Sequence, residues 1–105
     1  MSLGDQPLEL DRRRIVREVM DSRIRLRRVG GAAFQVQLHD VSTRGCRVEM
    51  IEESEAGETV IVRFPQLEPI GAEVRWAKST IAGVEFVRAI HPAVLDHVLV
   101  KLRAA

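Results

Sequence analysis

Arg23-Ile24-Arg25-Leu26-Arg27, then Val29-Gly30-Gly31-Ala32, then Phe34-Gln35-Val36-Gln37-Leu38-His39 is the stretch on which the fold turns. Apolar and polar residues alternate on both sides of a glycine pair. Side chains of a strand point to two faces in turn, so a period of two reads as two half-buried strands joined by a hairpin. A helix would space its apolar residues by three and four, and neither half does so.

The same alternation continues along the chain. Cys46, Val48 and Met50 alternate with Arg47 and Glu49. An acidic loop from Glu52 to Glu58 follows. Val60, Val62 and Phe64 form the next set, ended by Pro65. Ala72, Val74 and Trp76 continue the pattern, a turn falls near Ser79-Thr80, and Val84 and Phe86 close it. Six short strands spaced by about ten residues, with turn signals between them, predict an all-β antiparallel barrel or sandwich. Strands that are half polar exclude a doubly wound parallel sheet, whose strands are apolar throughout.

The two ends differ from the middle. Pro92 suits the first position of a helix, and Val94, Leu95, Val98, Leu99 and Leu102 make one apolar stripe. This predicts a C-terminal amphipathic helix over 92–103, covering one mouth of a barrel. Residues 1–11 are polar and turn-prone, a flexible lead-in, and residues 12–105 form one domain. Within it, 12–21 leave helix and loop both open: Ile15, Val16, Val19 and Met20 fit a helical stripe, but so short a segment is marginal without tertiary support.

A chain of 105 residues holds one core and little more. Its net charge of +1 makes no general case for nucleic acid, but the charge is unevenly spread. Arginines 12, 13, 14, 17, 23, 25, 27 and 28 supply half of the sixteen basic groups, whereas Glu49 to Glu73 holds seven acids against Arg63 alone. The single Cys46 excludes an internal disulfide and a cysteine-based zinc site. No apolar run reaches the length of a membrane span and no signal-peptide core is present, so a cytoplasmic protein without membrane insertion is the expectation.

Catalysis finds little to work with. His39, His91 and His97 lack metal-ligand spacing with each other or with a carboxylate, so no metal site and no cofactor are expected. His91, before a helix-starting proline, reads as a local structural residue, and His39 as solvated. Cys46 on an apolar strand face reads as an inert core thiol. Ser42, Asp40 and His39 supply the atom types of a triad, but neighbours at one strand end do not reach its geometry. No catalytic residue is assigned.

Binding finds more. Arg13 and Arg17 share a face if their segment is helical and lie close in a compact loop. Two guanidinium forks converging there suit a phosphodiester, and one also suits the N7/O6 edge of guanine. In Asp40-Val41-Ser42-Thr43-Arg44-Gly45, a carboxylate is the natural acceptor for the N1–H and N2–H₂ donors of guanine. Ser42 donates or accepts beside it, and Gly45 permits a close backbone approach. Taken singly, the first piece also fits a solvated basic tail and the second an ordinary Asx- or Ser-turn.

Together, in this order, the two pieces resemble the PilZ domain pattern, Arg-x-x-x-Arg followed by Asp/Asn-x-Ser-x-x-Gly. The resemblance runs on through Gly71-Ala72-Glu73-Val74-Arg75-Trp76 and Gly83-Val84-Glu85-Phe86, which look like the family's last two strands, and covers about residues 12–103. It implies a six-stranded antiparallel β-barrel that binds cyclic di-GMP, with Arg13 and Arg17 on phosphate and guanine. Asp40 and Ser42 would read a guanine edge and Gly45 would shape the loop. The arginine segment would reorganise around the ligand. Arg12 is similar to the arginine of relatives that take a stacked pair, which implies two ligand molecules per chain. Glu18 and Asp21 depart from the commonest pattern and are placed to compete for the arginines. The function expected is a receptor or adaptor that couples second-messenger level to an effector protein in motility, biofilm or exopolysaccharide control. The rival readings are a nucleic-acid-binding small barrel, disfavoured by the charge balance and few aromatics, and an interaction module that binds no nucleotide.

Overall fold

The computed structural model describes residues 22–50 and 52–104. The expectations for residues 1–11, and for the segment that carries Arg12, Arg13 and Arg17, therefore lie outside the described residues. Among these residues six strands and one helix follow in order: β1 (Ser22–Arg28), β2 (Ala33–Val41), β3 (Gly45–Glu49), β4 (Thr59–Arg63), β5 (Ile70–Lys78), β6 (Ile81–Phe86) and α1 (Pro92–Ala104). All neighbours pair antiparallel, and the sheet closes on itself in the order β1-β2-β3-β6-β5-β4. Of the barrel and sandwich that the alternation left open, the barrel is the one formed. Closure removes the unpaired strand edges that a sandwich would have to protect.

The alternation decides what fills the interior. Ile24 and Leu26 of β1 and Val36 and Leu38 of β2 point inward, as do Cys46 and Val48 of β3 and Val60 and Val62 of β4. Ala72, Val74, Ala82, Val84 and Phe86 complete the lining, and all are buried. Phe64 meets Phe86 edge to face, with ring centroids 6.0 Å apart. A small barrel of this kind is filled by its own side chains and leaves no lumen for a ligand.

The β1–β2 hairpin turns at Gly30, whose φ of 80° lies where a glycine meets no Cβ penalty, and Gly31 N–H closes it on the Arg28 carbonyl at 2.9 Å. Helix α1 begins where Pro92 predicts. The His91 ring nitrogen Nδ1 accepts the Ala93 N–H at 3.0 Å, so His91 is the helix cap that its position suggested. Leu95, Val98 and Leu102 pack into the same core cluster as the strands. Lys101 and Arg103 sit in the last turn, where cations favour the helix dipole.

Arg28, the last residue of β1, holds the acidic loop to the barrel. Its guanidinium lies 3.1 Å from Glu58 and 3.6 Å from Glu52, and donates to the Glu53 carbonyl at 3.1 Å and the Ser54 hydroxyl at 3.2 Å. It also sits 6.0 Å from the centre of the Phe34 ring. The excess of acid in the middle of the chain is thus partly answered by an arginine from the basic end.

Candidate functional site

The turn between β2 and β3 is built around Ser42. Its backbone N–H donates to the Gly45 carbonyl at 2.8 Å, while its hydroxyl oxygen accepts the N–H groups of Arg44 at 3.0 Å and Gly45 at 3.3 Å. One side chain therefore satisfies two backbone donors that a tight turn would otherwise strand. The turn is also tied from outside: Phe86 N–H donates to the Arg44 carbonyl and Ile90 N–H to the Thr43 carbonyl, both at 2.8 Å. Ser42 and Thr43 are consequently buried, unlike the residues of most surface turns.

Gly45 is demanded by a close approach. A Cβ there would lie 2.1 Å from the Val84 carbonyl oxygen on the neighbouring strand β6. The backbone of β3 could not come so near β6 with any other residue.

Asp40 sits where β2 breaks its alternation. The register with β3 shifts between Leu38 and Asp40, so that Asp40 pairs with Arg47. A bulge of this kind re-aims side chains locally. Arg47 Nε donates to Asp40 Oδ2 at 2.8 Å, and Arg47 Nη2 reaches the same oxygen. Asp40 is only 5% exposed, which makes Arg47 the compensating charge that burial requires. Burial first, and then the negative charge of Asp40, push the Cys46 thiol up to about 12. Burial and the raised pKa both favour the neutral thiol, and Cys46 lies in the core where the sequence reading put it. His39, on the polar face, reaches Glu49 at 3.0 Å.

A line of paired residues runs outward from Asp40 across four strands. Arg47 of β3 is opposite Gly83 of β6, and Gly83 is opposite Trp76 of β5. The Trp76 indole lies over the Gly83 backbone, with Nε1 2.2 Å from where a Cβ would stand. Gly83 is thus the seat of the indole. Trp76 does not join Ala72 and Val74 on the inner face, as the alternation predicts. A register shift between Val74 and Trp76 carries it to the outer surface, where it is half-buried. Arg47 and Trp76 are the two residues the sequence reading missed. Arg47 was within reach, because a hairpin turning at residues 42–44 sets it nearly opposite Asp40. Trp76 was not, because a bulge leaves no mark on an apolar alternation.

Beside the turn an open cleft of about 340 Å³ is lined by Arg44, Glu73, Glu85, Phe86, Val87 and Ala89. Its charges are largely paired with one another. Glu85 lies 3.7 Å from Arg44 and 3.3 Å from Arg75, and Glu73 lies 3.2 Å from Arg75. Asp40, Ser42 and Gly45 thus belong to one rigid unit, and Arg12, Arg13 and Arg17 lie outside the described residues. Among the described residues, no group of three or more His, Cys, Asp or Glu side chains is arranged to hold a metal ion, and no helix is long and apolar enough to cross a membrane.

Comparison with known proteins agrees with this architecture. A search of curated proteins gives no match. Among solved structures, the crystal structure of the PilZ domain of CeSA from a cellulose-synthesizing bacterium superposes with a TM-score of 0.54 at 13% identity. The match covers 84% of this chain and 92% of that one. At that identity the likeness speaks for the fold alone. The sequence model of the PilZ domain matches residues 11–101, a span that takes in the arginine segment, the Asp40–Gly45 turn, all six strands and most of α1. The chain belongs to the PilZ domain family, a family of cyclic di-GMP receptor domains.

Proposed function

We propose that this chain is a cyclic di-GMP receptor that acts without catalysis and passes the second-messenger signal to an effector protein. The observation that carries the reading is the prebuilt turn at Asp40–Gly45, with a buried carboxylate at its edge and the Arg47–Gly83–Trp76 line leading away from it. A guanine presents two N–H donors side by side, and a carboxylate accepts both. Asp40 meets that need by exchanging part of its bond to Arg47 for the base. The guanidinium so displaced is left beside the ligand's negative charge, where it remains favourable.

Ser42 and Gly45 do a different task. They spend their hydrogen bonds and their lack of bulk on fixing the turn, so that the carboxylate needs no reorganisation when the ligand arrives. Arg13 and Arg17 take the phosphodiesters and a guanine edge, and Arg12 stacks on the second molecule of a pair. Bringing the arginine segment onto the barrel makes a new surface, and that surface is what an effector reads. Motility, biofilm or exopolysaccharide control is the setting the family suggests.

Trp76 is the only tryptophan of the chain, so its emission reports on this face without labelling. Titration with cyclic di-GMP is expected to change it saturably, and the Asp40→Asn variant to need at least about tenfold more ligand, the equivalent of about 1.4 kcal/mol. A Trp76 signal that responds equally to cyclic di-GMP and to a random single-stranded oligonucleotide, and fades steeply with salt, would favour the nucleic-acid barrel instead.

A further inference from the structure

The line from Asp40 to Trp76 occupies β2, β3, β6 and β5. The two strands it leaves out, β1 and β4, are neighbours on the far side of the closed barrel. Their outer face carries an arrangement that folding alone disfavours. Arg25 of β1 stands directly opposite Arg63 of β4, and Arg27 is two residues further along β1. Like charges set opposite each other across a ladder destabilise it. Four other arginines of the barrel, Arg28, Arg44, Arg47 and Arg75, each lie against a carboxylate. None of the ion pairs among the described residues involves Arg25, Arg27 or Arg63. These three line one open cleft of about 180 Å³, whose apolar wall includes Ala33, Ile61 and Pro69.

We propose that this β1–β4 face docks a short, extended acidic segment of a protein partner. The geometry sets the pattern of that segment. An extended chain sends residues i and i+2 to the same side, about 7 Å apart, which is also the separation of Arg25 and Arg27 on their strand. Carboxylates at alternate positions therefore meet the two β1 forks, and Arg63 closes on them from β4. Arginine suits this because its planar fork takes a carboxylate through two parallel hydrogen bonds. The apolar wall receives the intervening side of the segment. A closed barrel has no strand edge to extend, so a partner chain must lie on a face.

The patch is short, and this decides between an acidic peptide and a long polyanion. Arg28, the residue after Arg27, is already surrounded by Glu52, Glu58 and the rest of the acidic loop. A nucleic acid or an anionic membrane surface would run from the arginines onto those carboxylates. A segment of a few residues ends before it reaches them.

The test uses the full chain and a synthetic peptide with three Glu residues alternating with Thr and Val, alongside its Gln counterpart. Amide NMR titration is expected to show saturable shifts at Arg25, Arg27, Ile61 and Arg63 with the Glu peptide, with Kd below about 1 mM. The Gln peptide is expected to bind at least about tenfold more weakly, as is the Glu peptide to the Arg25→Gln/Arg63→Gln double variant. That variant should also melt no lower than wild type, because it loses a repulsion rather than a contact, and should keep its response to cyclic di-GMP. Equal binding of the two peptides, or a double variant that melts lower and binds unchanged, overturns the proposal. So does binding at these arginines that prefers an oligonucleotide or a phosphatidylserine vesicle to the peptide. The peptide arm does not depend on the nucleotide, so it stands or falls apart from the receptor reading.

Discussion

A methyl group on Gly45 would fall 2.1 Å from the Val84 carbonyl oxygen and 3.1 Å from the Glu85 Cα, both of them backbone atoms of a paired strand. Neither can move without disturbing the barrel, so Gly45→Ala is expected to cost about 2–3 kcal/mol in urea unfolding. Ser42→Ala removes the acceptor of two turn N–H groups and is expected to cost about 1–2 kcal/mol in the same measurement. If either variant unfolds like wild type, the turn is not the rigid unit described. Cys46 gives a second test at this scale. Its folded pKa is raised, so the neutral thiol is favoured in the folded state. That contribution is complete below the ordinary value of 9.0 and is lost as pH rises through about 12. At pH 8 the folded protein should resist thiol-labelling reagents and react only as it unfolds, whereas fast stoichiometric labelling would contradict its burial. The residue types at 40, 42 and 45 were legible because each has few alternatives: an acceptor pair, a capping hydroxyl and an absent side chain. The sequence reading set Ser42 beside Asp40 on a guanine edge; in the structure the Ser42 hydroxyl accepts two turn N–H groups, while Asp40 is shared with Arg47.

Elements explain where the sequence reading failed. Alternation correctly marks β1, β2, β3, β4 and β6, because in each the inward residues are apolar and the polar residues fall outward, even though Ile61 of β4 and Ile81 of β6 also face outward. In β5 the indole is apolar too, so a one-residue slip between Val74 and Trp76 leaves the pattern unbroken while it reverses the face. The 52–58 loop shows the opposite case, a segment whose composition says only that it is solvated and whose place is set by distant residues, its end by backbone hydrogen bonds of Gly57 and Glu58 with Val74 and the rest by Arg28. Arg28 contacts it through two carboxylates, a carbonyl and a hydroxyl. Arg28→Ala should therefore raise amide exchange across residues 52–58 and speed proteolysis there, and lower global stability by only about 1 kcal/mol. Unchanged exchange in the loop would show that Arg28 does not hold it.

For the whole molecule, alternation and turn spacing established an antiparallel all-β chain with a terminal helix but could not choose between a barrel and a sandwich. Both bury every second residue, and they differ only in whether β1 finds β4, a pairing across more than thirty residues that no local pattern encodes. The closed order has a functional consequence. It gives the barrel two faces, one with the Asp40–Trp76 line and one with Arg25, Arg27 and Arg63, which form no ion pair among the described residues, so the proposed nucleotide and partner sites do not overlap. The central claim concerns the first face together with the arginine segment. The most direct measurement is calorimetric titration of cyclic di-GMP into wild type and Arg17→Ala. The account predicts saturable heat for wild type with two nucleotides per chain, and affinity weaker by about 10- to 100-fold for Arg17→Ala, the loss of one charge-assisted contact of about 1.5–3 kcal/mol. A wild-type titration that gives no heat at tens of micromolar ligand would contradict it.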